Sequence, residues 1–372
     1  MIRQQCLWDY NLKYLIIVES LRIGGIERLA LDEFYFLKKN NYDVNLIVLS
    51  EKPTNKYGTF LEGDKDLISE FNSSIFYVPG SRIEKLKYIE RVIFQDISKE
   101  TEIVAFSHSL KGSVIFFGIK LIFGRNIWIS TTIHQLPSLS DNKQRLKRFF
   151  YAQFTNKLFA YSEAVKKDWD KHLITKIFGK SIKVNRNGVY LDRLNIFETQ
   201  MDDEKRIIWI GRNTAWKGLN KFIEIINYDE LKDISVLIYV PYGAEDIRKR
   251  LAGRKLVEIK EGLTLRQHIA KKFDVHFYPV DYGNDVQFIE SISLNVLEFA
   301  TMGIPSLVTE KGVSTWPELV ESGLLFETKW NDKDSILNNL ERAFKVRLSK
   351  KEIDRVRSLI TIKNHLVDLI QK

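Results

Sequence analysis

Short apolar runs recur along the whole chain with amphipathic stretches between them, and this alternation limits the possible folds more than any other feature. Residues 13–19 (KYLIIVE), 43–49 (DVNLIVL), 74–78 (SIFYV), 102–107 (EIVAFS), 126–133 (NIWISTTI), 157–161 (KLFAY) and 181–186 (SIKVNR) read as short buried strands. A polar segment, residues 190–204 (YLDRLNIFETQMDDE), interrupts the pattern and reads as an interdomain linker. It resumes with 206–211 (RIIWIG), 235–240 (SVLIYV), 255–260 (KLVEIK), 274–279 (DVHFYP) and 305–309 (PSLVT). Strands apolar on both faces need cover on both faces, and helices in the crossovers supply it, so parallel sheets are expected. The expected class is therefore α/β, with two doubly wound domains facing a cleft and ligands beyond the carboxyl ends of the strands. Residues 332–372 read as two amphipathic helices.

Composition narrows the setting. A chain of 372 residues, 44% hydrophobic, is long enough for two cores. One cysteine, Cys6, leaves no internal disulfide framework, and the first 20 residues show no secretory signal, so a cytoplasmic location is expected. The longest apolar stretch, residues 113–124, has Lys120 inside it and is about half the roughly 20 residues of a membrane span; it reads as a buried helix. Charge is uneven: residues 1–190 carry 29 basic and 20 acidic side chains, whereas residues 191–372 carry 28 of each. The excess is concentrated in residues 101–190, with 15 basic against 5 acidic. Such a surface is either a solvated face or one drawn to an anionic membrane.

Several strand ends carry groups suited to an anion. The first strand runs into ESLRIGGIERLALDEF, where Gly24 and Gly25 open a helix; a glycine pair allows close backbone approach at the positive helix end, although a structural tight turn would use the same residues. In RIIWIGRNTAWKGLNKF, Arg212 leaves a strand and Lys217 stands at the start of a helix, either as a diphosphate site or as a solvated pair.

Two glutamates flank ESISLNVLEFATMGIPSLV, residues 290–308. Ser293 is expected to cap a helix over 294–302 that Gly303 and Pro305 stop, with Glu290 in the preceding loop and Glu298 about a turn inside. Carboxylates accept hydrogen bonds from hydroxyls, and a vicinal diol offers two. Acids and bases gathered at one sheet mouth fit a nucleotide sugar, with hydroxyls on both sides of a diphosphate. A first-turn glutamate favoured by the helix dipole would explain one acid but not both. Of six histidines, His108 and His134 end predicted strands; His172, His268, His276 and His365 have no such placement. No histidine or cysteine cluster has metal-ligand spacing.

Taken in order, GGIER, TTIHQ, AYSEAVKKDW, NRNGVYLDRL, IIWIGRNTAWKG, ESISLNVLEFATMGIPSLVT and PELVESGLLFE resemble the retaining glycosyltransferases of family 4, over residues 24 to 327. The resemblance implies the GT-B fold: a Rossmann-like acceptor domain over 1–190, a Rossmann-like nucleotide-sugar domain over 191–349, and a helix over 350–372 that returns to the first domain. It also implies roles. Arg212 and Lys217 would grip the donor diphosphate, helped by backbone N–H groups at Gly24 and Gly25 and in the loop leading to Ser293 and Leu294. Glu290 would orient the transferred sugar, Glu298 would bind the ribose, His134 would contact the sugar near the reacting centre, and Leu263 would lie beside the base. The donor would be a UDP- or GDP-sugar, with no cofactor and no metal, the acceptor proton passing to the departing phosphate.

Some positions depart from the family pattern. The loop before Glu290 has Pro279 eleven residues upstream, Ser291 and Ser293 stand where glycines are usual, and Gln135 follows His134 in place of an acid. The implied acceptor is a glycolipid or an oligosaccharide of a surface polysaccharide. Residues 142–154 (NKQRLKRFFYAQF) mix four basic residues with aromatics, as a peripheral contact with the inner face of the plasma membrane would, or as a core helix with a solvated basic face would. No nucleic-acid-binding module accompanies the charge. Two other readings stand beside a transferase: another GT-B enzyme, such as a nucleotide-sugar epimerase or a phosphorylase, and a non-catalytic binding partner.

Overall fold

The computed structural model describes residues 12–21, 24–51, 70–134, 142–171, 181–194, 200–214, 217–261, 271–280 and 292–370. Two compact units emerge: Met1–Tyr190 with Ile362–Lys372, and Leu191–Thr361.

In the first unit, β1 (Lys13–Val18), β2 (Asp43–Val48), β3 (Ile75–Tyr77), β4 (Ile103–Ser107), β5 (Ile127–Ile133), β6 (Lys157–Ala160) and β7 (Lys183–Val184) form one sheet in the order β3-β2-β1-β4-β5-β6-β7. The pairings are parallel, with Leu15 of β1 opposite Asn45 of β2 and Ala105 of β4. Five of the six residues of β1, Tyr14 to Val18, are buried, as a strand covered on both faces must be. The crossovers are α1 (Gly25–Lys39), α2 (Arg82–Tyr88), α3 (Leu110–Phe123), α4 (Asn142–Ala152) and α5 (Glu163–Asp170). Three of these starts carry side-chain caps: Ser81 and Glu84 close a capping box on α2, the Ser109 hydroxyl accepts from the Gly112 N–H on α3, and the Ser162 hydroxyl accepts from the Val165 N–H on α5.

The second unit repeats the plan. Strands β8 (Gln200–Ile210), β9 (Ser235–Val240), β10 (Val257–Glu261), β11 (Lys271–Phe277), β12 (Ser306–Val308) and β13 (Leu325–Glu327) lie in the parallel order β10-β9-β8-β11-β12-β13. Helices α6 (Leu219–Ile226), α7 (Ala244–Arg250), α8 (Leu294–Thr301), α9 (Glu310–Val313), α10 (Pro317–Glu321), α11 (Lys333–Phe344) and α12 (Lys350–Leu359) belong to it, and α13 (Ile362–Ile370) to the first unit. Alternation along β8 decides what covers the sheet. Ile207 and Trp209 join the cluster that includes Phe222 and Leu340, while Ile208 joins Phe299 and Met302 from α8 and the chain after it.

Four details differ from the sequence reading. The stretch 113–124 does form a helix, α3, but it is not wholly buried: Ile115, Phe116 and Ile119 face the core, whereas Leu121 and Ile122 are 68% and 65% exposed. An all-round apolar sequence has no pattern to announce its wet side. The polar segment 190–204 is partly strand, because β8 begins at Gln200. Strand β13 escaped notice because three residues are too few for periodicity. The tail holds three helices rather than two, and residues 350–372 are split: α12 stays with the second unit, where Arg357 Nε donates to the Thr301 carbonyl at 2.9 Å, and only α13 joins the first.

Candidate functional site

The carboxyl ends of β1, β4 and β5 open into a cavity of about 640 Å³, lined also by the first turns of α1 and α3 and by Lys147, Arg148 and Tyr151 of α4. That volume suits a small organic ligand. His108 directly follows β4 and His134 directly follows β5, and both residues line the cavity. His134 is partly exposed, with its ring 5.7 Å from that of Tyr161 in a stacked arrangement.

Behind these rings lies a buried ionic network. Glu33 of α1 is fully buried. One of its oxygens is 2.8 Å from His108 Nε2 and the other 2.8 Å from His365 Nε2 of α13. His108 Nδ1 is 3.2 Å from His134 Nε2, and His365 Nδ1 is 2.9 Å from the Arg186 carbonyl oxygen. Burial alone would raise the Glu33 carboxyl, but His108 and His365 outweigh it and hold the group at about 2. Burial, partly opposed by the Glu33 charge, keeps the His134 imidazole well below its ordinary value, so this ring is neutral at pH 7.

Gly24 and Gly25 flank the same cavity through their neighbours Ile26 and Glu27. Gly24 occupies the cap position in extended conformation, φ −164°, and the space where Gly25 would carry a Cβ is open to at least 4 Å. Neither backbone strain nor packing therefore demands glycine at 25, which leaves close approach of a ligand as a use for it. At the rim Lys111 pairs with Glu19 at 2.8 Å, and Arg82 Nη2 donates to the Tyr151 hydroxyl at 2.7 Å.

The second unit presents its polar groups at the carboxyl edge of its own sheet. Arg212 lies two residues beyond β8 in a turn closed by the Thr214 N–H on the Arg212 carbonyl at 2.7 Å and the Lys217 N–H on the Thr214 carbonyl at 3.0 Å. Lys217 reaches the neighbouring strand's end: its Nζ donates to the Tyr278 hydroxyl at 3.3 Å and stands 5.4 Å from that ring's centre. Gly218 fixes this arrangement, since its φ of +72° is left-handed and a Cβ would meet the Pro279 carbonyl oxygen at 1.7 Å. Lys217 is thereby pinned where β8 and β11 both end.

Helix α8 starts from the same edge, because it follows β11 and leads back into β12. Ser293 stands at its cap position but does not cap it; the hydroxyl is buried and has no hydrogen-bond partner among the described residues. This corrects the expected capping role and leaves an oxygen and the first-turn N–H groups at a positive helix end. Leu294 and Glu298 are buried on the same helix, Glu298 fully, and Phe299 locks the helix down against His276, ring centres 4.4 Å apart. Glu290 and Leu263 lie outside the described residues. Among the described residues no group of three or more histidine, cysteine, aspartate or glutamate side chains is arranged to hold a metal ion, and no helix is long and apolar enough to cross a membrane.

The structure thus places His108, His134 and the Gly25 end of α1 at one sheet edge, and Arg212, Lys217, Ser293 and Leu294 at another, with Glu298 buried about a turn further along α8. Sequence reasoning missed Glu33 and set His365 aside. A signal existed for both: Glu33 falls on the Leu29–Leu37 stripe of α1, four residues from each, and His365 on the Ile362–Leu369 stripe of α13. A titratable residue on an apolar stripe asks for a buried partner.

No protein-family model matches the chain, and neither does any curated protein sequence. Solved structures do match over nearly the whole length. The lipopolysaccharide outer core galactosyltransferase WaaB is 12% identical with a TM-score of 0.61, covering 96% of this chain and 99% of its own. Anabaena HepE (Alr3699), in complex with UDP and glucose, is 13% identical with a TM-score of 0.63, covering 95% and 97%. An alpha-glucosyltransferase in complex with UDP and a 13-mer DNA containing a HMU base is 12% identical with a TM-score of 0.59, covering 97% and 100%. Together with the seven-stranded and six-stranded parallel sheets, these likenesses give the chain the GT-B glycosyltransferase fold.

Proposed function

We propose that this GT-B chain is a retaining glycosyltransferase that moves a hexose from a UDP- or GDP-sugar to a glycolipid or surface-polysaccharide acceptor. The observation that carries the reading is the carboxyl edge of the second sheet. There Arg212, Lys217 and the start of α8, with its buried Ser293 hydroxyl, supply cations, N–H groups and a hydroxyl to one edge. Such donors suit a diphosphate, each charge-assisted bond contributing on the order of 1.5 to 3 kcal/mol. Glu298 then takes the ribose hydroxyls and Glu290 the transferred sugar, while in the first unit His134 meets a sugar hydroxyl and the N–H groups at Gly24 and Gly25 face phosphate. Neighbours of this fold crystallised with UDP, and in one case with glucose, support the donor class. They also differ in acceptor, lipopolysaccharide for one by its name and DNA in the crystal of another, so the acceptor rests on this chain's own surface.

That surface favours a lipid setting. On α4 Leu146 and Phe150 are each 55% exposed beside Lys147, and α3, which packs against α4, exposes Leu121 and Ile122. Apolar side chains interleaved with cations fit the headgroup region of an anionic bilayer and a cytoplasmic, membrane-peripheral location. Vesicle flotation tests this: binding to vesicles with anionic lipid, lost in Leu146→Glu/Phe150→Glu, is expected, and equal binding to neutral vesicles or none would dismiss it.

The decisive assay is incubation with UDP- and GDP-sugars while following nucleoside diphosphate release and the anomeric NMR signals. Slow donor hydrolysis, accelerated by acceptor, is expected. A new sugar isomer without acceptor would identify an epimerase, and tight nucleotide binding with no turnover would identify a binding partner. At 100 times its dissociation constant the correct nucleotide should stabilise the fold by about 2.7 kcal/mol.

A further inference from the structure

We infer that Glu33, His108 and His365 act as positioning residues that place a proton on His134 Nε2, leaving His134 Nδ1 as a lone-pair acceptor for a ligand hydroxyl. The argument is an accounting of protons. A carboxylate accepts only, so both histidines that touch Glu33 do so through Nε2–H. The Arg186 carbonyl also accepts only, so His365 Nδ1 carries a proton as well, and His365 is an imidazolium. Its charge neutralises Glu33, both side chains being fully buried. The other buried charges of α1, Arg28 and Asp32, are one of each sign.

His108 then has two options. Donating from Nδ1 as well would make it a second imidazolium on a single carboxylate, with its own side chain 1% exposed, and an unbalanced buried charge is strongly penalised. The neutral form keeps its proton on Nε2 and turns the Nδ1 lone pair toward His134, 3.2 Å away. His134 must therefore donate from Nε2, and a neutral ring that donates there has only a lone pair left at Nδ1. A ring in that state welcomes an O–H and offers nothing to a phosphate oxygen. The first unit's cavity thus reads a hydroxyl at His134, and under the proposed function, on which this last step rests, the hydroxyl is one of a sugar. The placement also gives α13 a purpose: it brings the cation that keeps Glu33 charged and His108 neutral.

Histidine-selective ¹⁵N labelling and long-range ¹H–¹⁵N spectra of the full chain without ligand read each ring directly, with His134→Gln and His365→Gln used to assign the signals. The expected spectrum shows two N–H groups on His365, and one on His134 at Nε2 with a bare Nδ1. A protonated Nδ1 on His134, or a cationic His134 at neutral pH, overturns the inference, whether or not any variant folds. In Glu33→Gln, which removes the anchoring charge, the His134 signal should become a mixture of tautomers. The kcat for donor hydrolysis should fall about tenfold to a hundredfold, as when partners that orient a functional ligand are lost, with little change in KM. A folded Glu33→Gln protein that keeps both the tautomer and the kcat also overturns it. The ligand-free spectrum does not depend on the reaction, so failure of every nucleotide sugar to react would remove the proposed function and leave the proton assignment standing.

Discussion

The two sheet edges are built on opposite plans. In the first unit the polar groups turn inward: Glu33 spends both oxygens on histidines, and His108 is held between Glu33 and His134. In the second unit they are gathered along an edge, with Lys217 leaning on Tyr278 and a buried Ser293 hydroxyl that no described residue engages. A self-satisfied network fixes the geometry of one partly exposed ring, His134; an edge with a buried hydroxyl that no described residue engages has a hydrogen bond left to offer. Under the proposed function the first edge orients the sugar and the second grips the donor.

Acid is the harshest test of the first edge. Glu33 moves from an ordinary 4.5 to about 2 on folding, and His134 falls below 6.5. For both groups the folded value is the lower one, so their stabilisation is complete above the unfolded value and is lost as pH falls. Unfolding followed from pH 7 downward should show loss beginning below about 6.5 and, for Glu33, continuing from 4.5 toward 2, on the order of 3 kcal/mol in all for that carboxylate. Glu33→Gln should be less stable at pH 7 and flatter in acid; an acid limb as steep as the parent's would show that the network does not carry the charge described.

Removing the grip comes next. Arg212→Ala or Lys217→Ala should lower turnover by about a hundredfold, as loss of a preorganised charge-stabilising group does. Unchanged turnover in both would make the second edge merely a surface. Gly218→Ala should cost more than about 2 kcal/mol in thermal unfolding, since a left-handed conformation costs an L-residue 1–2 kcal/mol before the Pro279 carbonyl is pushed aside. A neutral outcome would mean that Lys217 is not pinned as described. Glu298→Gln keeps the shape but loses a charged acceptor, and calorimetry should find the nucleotide bound about tenfold more weakly. Smallest of all is Gly25→Ala, which meets open space and should leave the unfolding free energy within about 0.5 kcal/mol of parent. If donor binding nevertheless weakens, a ligand occupies that space.

Strand positions, the fold and the residues at strand ends were legible because buried parallel strands advertise themselves and ligands gather where such strands stop. His134 and Lys217 were found that way. The Ser293 hydroxyl was misread because a cap position does not oblige a serine to cap. Strand β13 was too short to show a period, and the wet face of α3 was hidden by the uniform apolarity of its sequence. The network from His134 through His108 and Glu33 to His365 includes, at Glu33 and His365, a contact between residues 332 positions apart, and no local pattern reports a partner that distant. Only the misplaced charge on each apolar stripe hinted that one was needed.

That separation bears on synthesis. At about 5 to 20 residues per second, the ribosome adds His365 roughly 17 to 66 s after Glu33. Through that interval a nascent first unit lacks the His365 counter-charge for the buried Glu33 of α1, whereas the second unit, Leu191–Thr361, is continuous in sequence and can close as soon as it emerges. The half that is translated first is therefore completed last, and a nascent chain halted before α13 should hold a protease-resistant second unit attached to a first unit that is still cut.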